Sequence, residues 1–419
     1  MHQMSRLANG LRVISSYLPH ARSVSATFFV RVGSRYESER LQGASHFLEH
    51  MLFKGTERRP SSRAISEAIE GVGGYFNAEA GKELTVYWDK VAEPHWEVTL
   101  DVLVDLLRHS LFDESEFEKE RRVIVEELGM QSDNPGEWVH QLIDEAMWGN
   151  QPLGRDVGGS RDSVMNLELA NLKDWFTTYY VPSNIVVSVA GALSHEKVLR
   201  LVEELLGDWV GTHPPESDAA TSGPAERVRL KSKKTEQAHF CVALPTHSYL
   251  HADRYALELL NIILGDSSSS RLFSEIREKQ GLAYDVHSYL NEYRDDGSLV
   301  IYAGVEPGRV DQALRASLNE LDRLTSPVAE DELARAKEIW KGRKLLALED
   351  TQNIASWLGE QEILLDRIYT LDDLVERVEL VDVADLQTLA RALFVPEKLC
   401  LSIIGPYRSE ERFTRQLHF

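Results

Sequence analysis

Residues Tyr179–Leu193 read Y-Y-V-P-S-N-I-V-V-S-V-A-G-A-L, and Leu393–Tyr407 read L-F-V-P-E-K-L-C-L-S-I-I-G-P-Y. Val-Pro, Ser188/Ser402 and Gly191/Gly405 fall in register half a chain apart. Each copy carries a β-branched run of strand length, so each reads as a strand that closes a unit of strands and helices. Between the two units lies G-T-H-P-P-E-S-D-A-A-T-S-G-P-A-E, residues 211–226, whose Pro, Gly, Ser and Thr mark a linker. The expectation is an α+β chain formed by internal duplication: two similar domains, 1–212 and 227–419, joined by 213–226, each an antiparallel-rich sheet covered by helices.

The 419 residues are long enough for two such cores. No apolar run approaches the length of a membrane span, and the start M-H-Q-M-S-R-L-A-N-G lacks the pattern of a signal peptide. Cys241 and Cys400 sit in apolar strand-like runs and read as core thiols, which fits a reducing cytoplasm. A net charge of −21 repels nucleic acid and can steer cationic ligands such as basic peptides.

Within the first unit, Ser45–Phe53 reads S-H-F-L-E-H-M-L-F. His46 and His50 are one helical turn apart, so both imidazoles leave one face of a helix, close enough to hold one ion. Imidazole nitrogens suit zinc, copper, iron or nickel better than magnesium or calcium. Glu49 lies beside them, placed to take a proton from a water on such an ion, as in the H-x-x-E-H zinc hydrolases. Catalytic zinc takes three protein ligands, and the acidic helix D-E-S-E-F-E-K-E-R-R-V-I-V-E-E-L-G, residues 113–129, offers the third. Glu120 and Glu127 are two turns apart on one face, one to ligate and one to orient a ligand; Glu126 competes with them on spacing alone. His20, His95, His109, His140, His239 and His287 stand alone in sequence and are not expected to touch metal.

Together with N-G-L-R-V at Asn9–Val13, G-G-Y-F-N-A at Gly73–Ala78 and Q-P-L-G-R at Gln151–Arg155, these motifs resemble the mitochondrial processing peptidase branch, the beta subunit in particular, of the pitrilysin family of inverted zincins. The resemblance covers nearly the whole chain. It implies Glu127 as third zinc ligand, Glu120 as supporting acid, and Asn77 and Ala78 as a sheet edge to which substrate backbone adds as a strand. After that pair Glu79, Ala80 and Gly81 depart from the family pattern. Glu137 matches an acid that binds a substrate arginine, while its companion falls on Gln141. The second unit has L-E-L-L-N-I-I-L, Leu257–Leu264, where the first has its histidines, and so reads as a scaffold copy. Its Arg277 and Tyr284 match a pair that holds the substrate carbonyl and stabilises the oxyanion.

The expected function is therefore a zinc endopeptidase, with one Zn²⁺ per chain, acting on short or unfolded, basic peptides in extended form. The resemblance further implies a chamber of four domains, hence a homodimer in which Arg277 and Tyr284 come from the partner chain; net charge and the lack of a long apolar run lead to the expectation of no nucleic acid or membrane partner. Two alternatives share the fold: a non-catalytic subunit of a larger assembly, and a protease dedicated to leader peptides.

Overall fold

The structure, a computed structural model, describes residues 2–419. The repeated stretches become strand β6 (Ile185–Gly191) and strand β11 (Cys400–Gly405), every residue of which is buried. Strands covered on both faces need continuous apolar sequence, which I-V-V-S-V-A-G and C-L-S-I-I-G supply. Around β6 the first sheet takes the order β1-β2-β6-β3-β5-β4. Its other members are β1 (His2–Arg6), β2 (Arg12–Tyr17), β3 (Ser23–Val30), β4 (Tyr75–Ala80) and β5 (Thr85–Ala92). Around β11 the second takes the order β7-β11-β8-β10-β9, from β7 (Val228–Ser232), β8 (Ala238–Thr246), β9 (Ala283–Glu292) and β10 (Gly297–Val305). In each sheet one pair is parallel, β2 with β6 and β7 with β11, and the rest are antiparallel. Apart from β1, the two sheets share one topology, so the fold is α+β with a duplicated plan.

The chain divides into two compact units, and here the expected boundaries need correction. The first unit takes the chain up to Leu128, then Asp156–Asp218 and Leu345–Thr370; the second takes Gly129–Arg155, Ala219–Lys344 and Leu371–Phe419. The divide between Asp218 and Ala219 falls inside the expected linker, but each half also gives a helix to the other unit. Helix α1 (Ala44–Leu52), α2 (Ser62–Glu70), α3 (Trp96–His109) and most of α4 (Glu114–Asp133) stay with the first sheet. At Asn134-Pro135 the chain breaks: the Asn134 side chain accepts from the Gly136 N–H at 3.1 Å, and α5 (Pro135–Trp148) starts anew. Val139, Ile143, Ala146 and Met147 of α5 then pack with Cys241, Ala243 and Ile404 in the second unit. In return, the helix Thr351–Leu365, capped by Asp350, lays Ile354, Ala355, Leu358 and Ile363 on Ile14, Phe29, Val186 and Ala190 of the first sheet. Continuous boundaries fail because both sheets have an apolar face that the local sequence does not cover.

No helix among the described residues is long and apolar enough to cross a membrane. Cys241 and Cys400 are buried and unpaired as disulfides.

Candidate metal centre

Helix α1 starts at Gly43, whose backbone is left-handed at φ 88°, and buries Phe47, Leu48, Met51 and Leu52 in the core of the first unit. Its other face carries His46, Glu49 and His50, which are only partly buried. The two rings lie edge to face, with centroids 4.6 Å apart, so their Nε2 atoms meet at 3.2 Å. Glu127 reaches the same point from α4, with one carboxylate oxygen 3.7 Å from His46 Nε2 and the other 3.7 Å from His50 Nε2. Two ring nitrogens at ordinary zinc bond lengths and tetrahedral angles stand about 3.3 Å apart. The two imidazoles and the carboxylate therefore fit zinc in spacing as well as in donor type. Glu126, the competitor on spacing, is exposed and is not part of this cluster.

His50 Nδ1–H donates to Glu120 Oε1 at 2.8 Å, and Lys54 Nζ holds Glu120 Oε2 at 2.6 Å. Burial alone would push the Glu120 carboxyl up, but the bonds and charges of His50 and Lys54 outweigh it and hold the group below its ordinary value. An ionised Glu120 fixes the His50 tautomer and leaves Nε2 with its lone pair free. Burial, helped by His50, lowers the pKa of His46, which keeps that ring neutral and able to ligate. His46 Nδ1 is buried without a hydrogen-bond partner, next to the loop of Asp156 and Gly158.

Glu49 points to the edge strand: its Oε2 accepts the Ala80 N–H at 2.7 Å. Burial raises its pKa, and the Ala80 amide and His50 only partly offset this. A carboxylate with raised pKa beside a metal cluster suits a group that takes up and returns a proton. Asn77 and Ala78 lie on β4, the edge of the first sheet, with Asn77 exposed and Ala78 buried.

In the second unit, Arg277 lies in a π-helical turn, Phe273–Lys279, and donates to the Tyr284 carbonyl at 2.9 Å, its guanidinium 4.3 Å from the Tyr284 ring centroid. The expected pair is therefore a contacting pair, and the Tyr284 residue is 76% exposed. Glu137 is exposed in the first turn of α5, while Gln141 donates to the Gly154 carbonyl at 3.0 Å. His140, His239 and His287 gather around Tyr302, the first two stacked on its ring and His287 tilted against it, with His140 bonded to Tyr289 and His239 to Tyr302.

A second ligand-like trio, His247, His251 and Asp253, contrasts with the first. Its rings are stacked at 3.8 Å and 11°, so an ion in the plane of one ring stands out of the plane of the other, and His251 Nδ1 already accepts the Asp253 N–H. That arrangement does not converge on one ion. Lys54 was missed in the sequence; its place one helical turn after His50 was the signal available.

The family model for insulinase (peptidase family M16) matches residues 12–161, and that for the peptidase M16 inactive domain matches residues 166–339. An uncharacterized zinc protease of Streptomyces coelicolor is 37% identical over 97% of this chain and 90% of its own length. One of Bacillus subtilis is 37% identical over 95% and 97%, and one of Mycobacterium leprae 33% identical over 98% and 93%. Among solved structures, a protease from Helicobacter pylori superposes with a TM-score of 0.90 at 23% identity, covering 97% of this chain and all of that one. A peptidase M16 inactive domain from Pseudomonas fluorescens gives 0.90 at 20% identity, covering 97% and 99%. These two share the fold.

Proposed function

This chain belongs to the insulinase (M16) family of peptidases, and from that premise we propose that it is a zinc-dependent endopeptidase of the processing-peptidase type. The observation that carries the reading is the meeting of His46 Nε2, His50 Nε2 and the Glu127 carboxylate, with Glu49 beside them. Zinc bound there supplies Lewis acidity and brings the pKa of a water toward ~7.

The chain's own residues do the rest. His46, His50 and Glu127 hold the ion, one per chain, and Glu120 orients His50. Glu49 takes the proton of the attacking water and returns it to the departing amine. Unpaired backbone of β4 around Asn77 and Ala78 receives the substrate as an added strand, which selects extended or unfolded peptides. Net charge and the exposed Glu137 favour basic ones. Arg277 and Tyr284 act on the scissile carbonyl from the partner chain of a homodimer; the exposure of Tyr284 supports a role facing outward from its own unit. The buried free thiols accord with a cytoplasmic setting.

The test is a peptide library derived from whole-cell protein, incubated with the chain and read for new termini by mass spectrometry. Cuts that vanish with a chelator, return with Zn²⁺ and are absent for Glu49→Gln support the reading. Cuts that persist in Glu49→Gln overturn it.

A further inference from the structure

Helix α1 has no capping side chain of its own. Its N-cap is Gly43, where a Cβ would come within 2.6 Å of the Gly158 carbonyl oxygen at a backbone φ of 88°. No ordinary capping residue fits there, yet the first N–H groups of a helix need acceptors. They find them in Glu37, six residues upstream and 4% exposed. Its Oε2 accepts the Gly43 N–H and its Oε1 the Ser45 N–H, both at 2.7 Å; burial pushes the carboxyl up to about 7, and these two bonds offset that in part. The ionised form of the group also suits the helix dipole.

The next residue after Ser45 is His46. At the other end of the helix His50 is held by Glu120, so the two ligands depend on different anchors. His46 Nδ1 has no hydrogen-bond partner to hold its ring, and its direction comes from the backbone that Glu37 grips. We propose that Glu37 is a positioning residue for the metal centre: its carboxylate sets the first turn of α1 so that His46 Nε2 meets His50 and Glu127. This inference rests on the metallopeptidase reading.

Glu37→Gln keeps the shape but turns one acceptor into a donor facing a backbone donor. Folding is checked by circular dichroism, Zn²⁺ affinity by competition with a chromophoric chelator, and ligand geometry by the visible spectrum of the Co²⁺-loaded chain. The expected result is a folded variant whose Zn²⁺ affinity falls by about 10–100-fold, as for loss of other groups that orient ligands, with an altered Co²⁺ spectrum. Val198→Ala, a core truncation in the helix His195–Leu206, serves as the control for destabilisation and keeps wild-type affinity and spectrum. Equal affinity and an unchanged spectrum in Glu37→Gln overturn the inference alone, as does an equal loss in Val198→Ala. Failure of the wild type to bind either ion overturns the metallopeptidase reading and the inference with it. If Glu37→Gln does not fold, Glu37→Asp, which draws both acceptors back by one methylene, decides: a fall in Zn²⁺ affinity with an altered Co²⁺ spectrum supports the inference, and wild-type affinity overturns it.

Discussion

Glu49 is tied to the sheet edge by one bond: its Oε2 takes the backbone N–H of Ala80 at 2.7 Å. The proposed base and the proposed substrate-binding strand are thereby fixed to each other, so a peptide added to β4 is registered against the carboxylate. Replacing Ala80 by Pro deletes that N–H. Peptide turnover should fall more than 10-fold through kcat, while bound zinc stays at wild-type level. Metal analysis beside steady-state kinetics checks both halves of this expectation.

Removal of ligand and of support should differ in kind. Glu127→Gln takes away a ligand and should abolish stable zinc binding. Glu120→Gln leaves three ligands but frees the His50 ring and Lys54, so affinity should fall about 10–100-fold without vanishing. Chelator competition on both variants distinguishes the roles; equal affinities would show that Glu120 ligates or that Glu127 does not.

The proposed sharing of the site across a homodimer can be tested by mixing chains. His46→Ala and Tyr284→Phe chains should each be inactive as homodimers. After subunit exchange, each heterodimer regains one complete site, giving about a quarter of wild-type activity at random mixing. Persistent inactivity of the mixture would place Tyr284 in the site of its own chain, and an active Tyr284→Phe homodimer would place it outside catalysis.

Asp89, buried on β5 of the first sheet, gives a stability test by pH. Burial pushes its carboxyl up to about 7, against which the bonds from Thr99 and the Ala26 N–H work only in part. A group whose pKa is raised on folding favours the folded state below its unfolded value, near 4, and loses that advantage as pH rises through 7. Asp89→Asn should therefore gain on wild type between pH 5 and pH 8, by on the order of 3 kcal/mol. Urea midpoints at the two pH values measure it; parallel curves would rule out the buried titration.

Gly359 faces Phe29, where an added Cβ would meet the ring at 2.1 Å. Gly359→Ala should destabilise by about 1–3 kcal/mol despite the better helix propensity of alanine. A thermal melt checks the sign.

Much of the centre was legible because its residues are local. His46, Glu49 and His50 sit within a turn and a half of one helix, and helical geometry predicts their common face without tertiary information. The third ligand was not legible that way. Glu120, Glu126 and Glu127 share similar helical surroundings, and only the resemblance separated them before the structure brought Glu127 to the rings. The repeat at Tyr179 and Leu393 revealed the duplication because fully buried strands leave continuous apolar sequence. What stayed hidden was the destination of α5 and of Thr351–Leu365. Amphipathic periodicity says that a helix has a face to bury, not against which sheet. Glu37 was hidden for the same reason: a carboxylate six residues before a helix gives no sign that it will fold back onto it.

The traded helices have a consequence for how this architecture can change over time. A break in the polypeptide near residue 218 would not liberate two self-sufficient proteins, because each fragment would keep a helix whose apolar side belongs elsewhere and lack the one that shelters its own sheet. Each repeat thus depends on sequence from the other half of the chain for its cover. The second copy, free of any ligand set like that of the first, is thus retained by mechanical necessity as well as by whatever it contributes to chemistry.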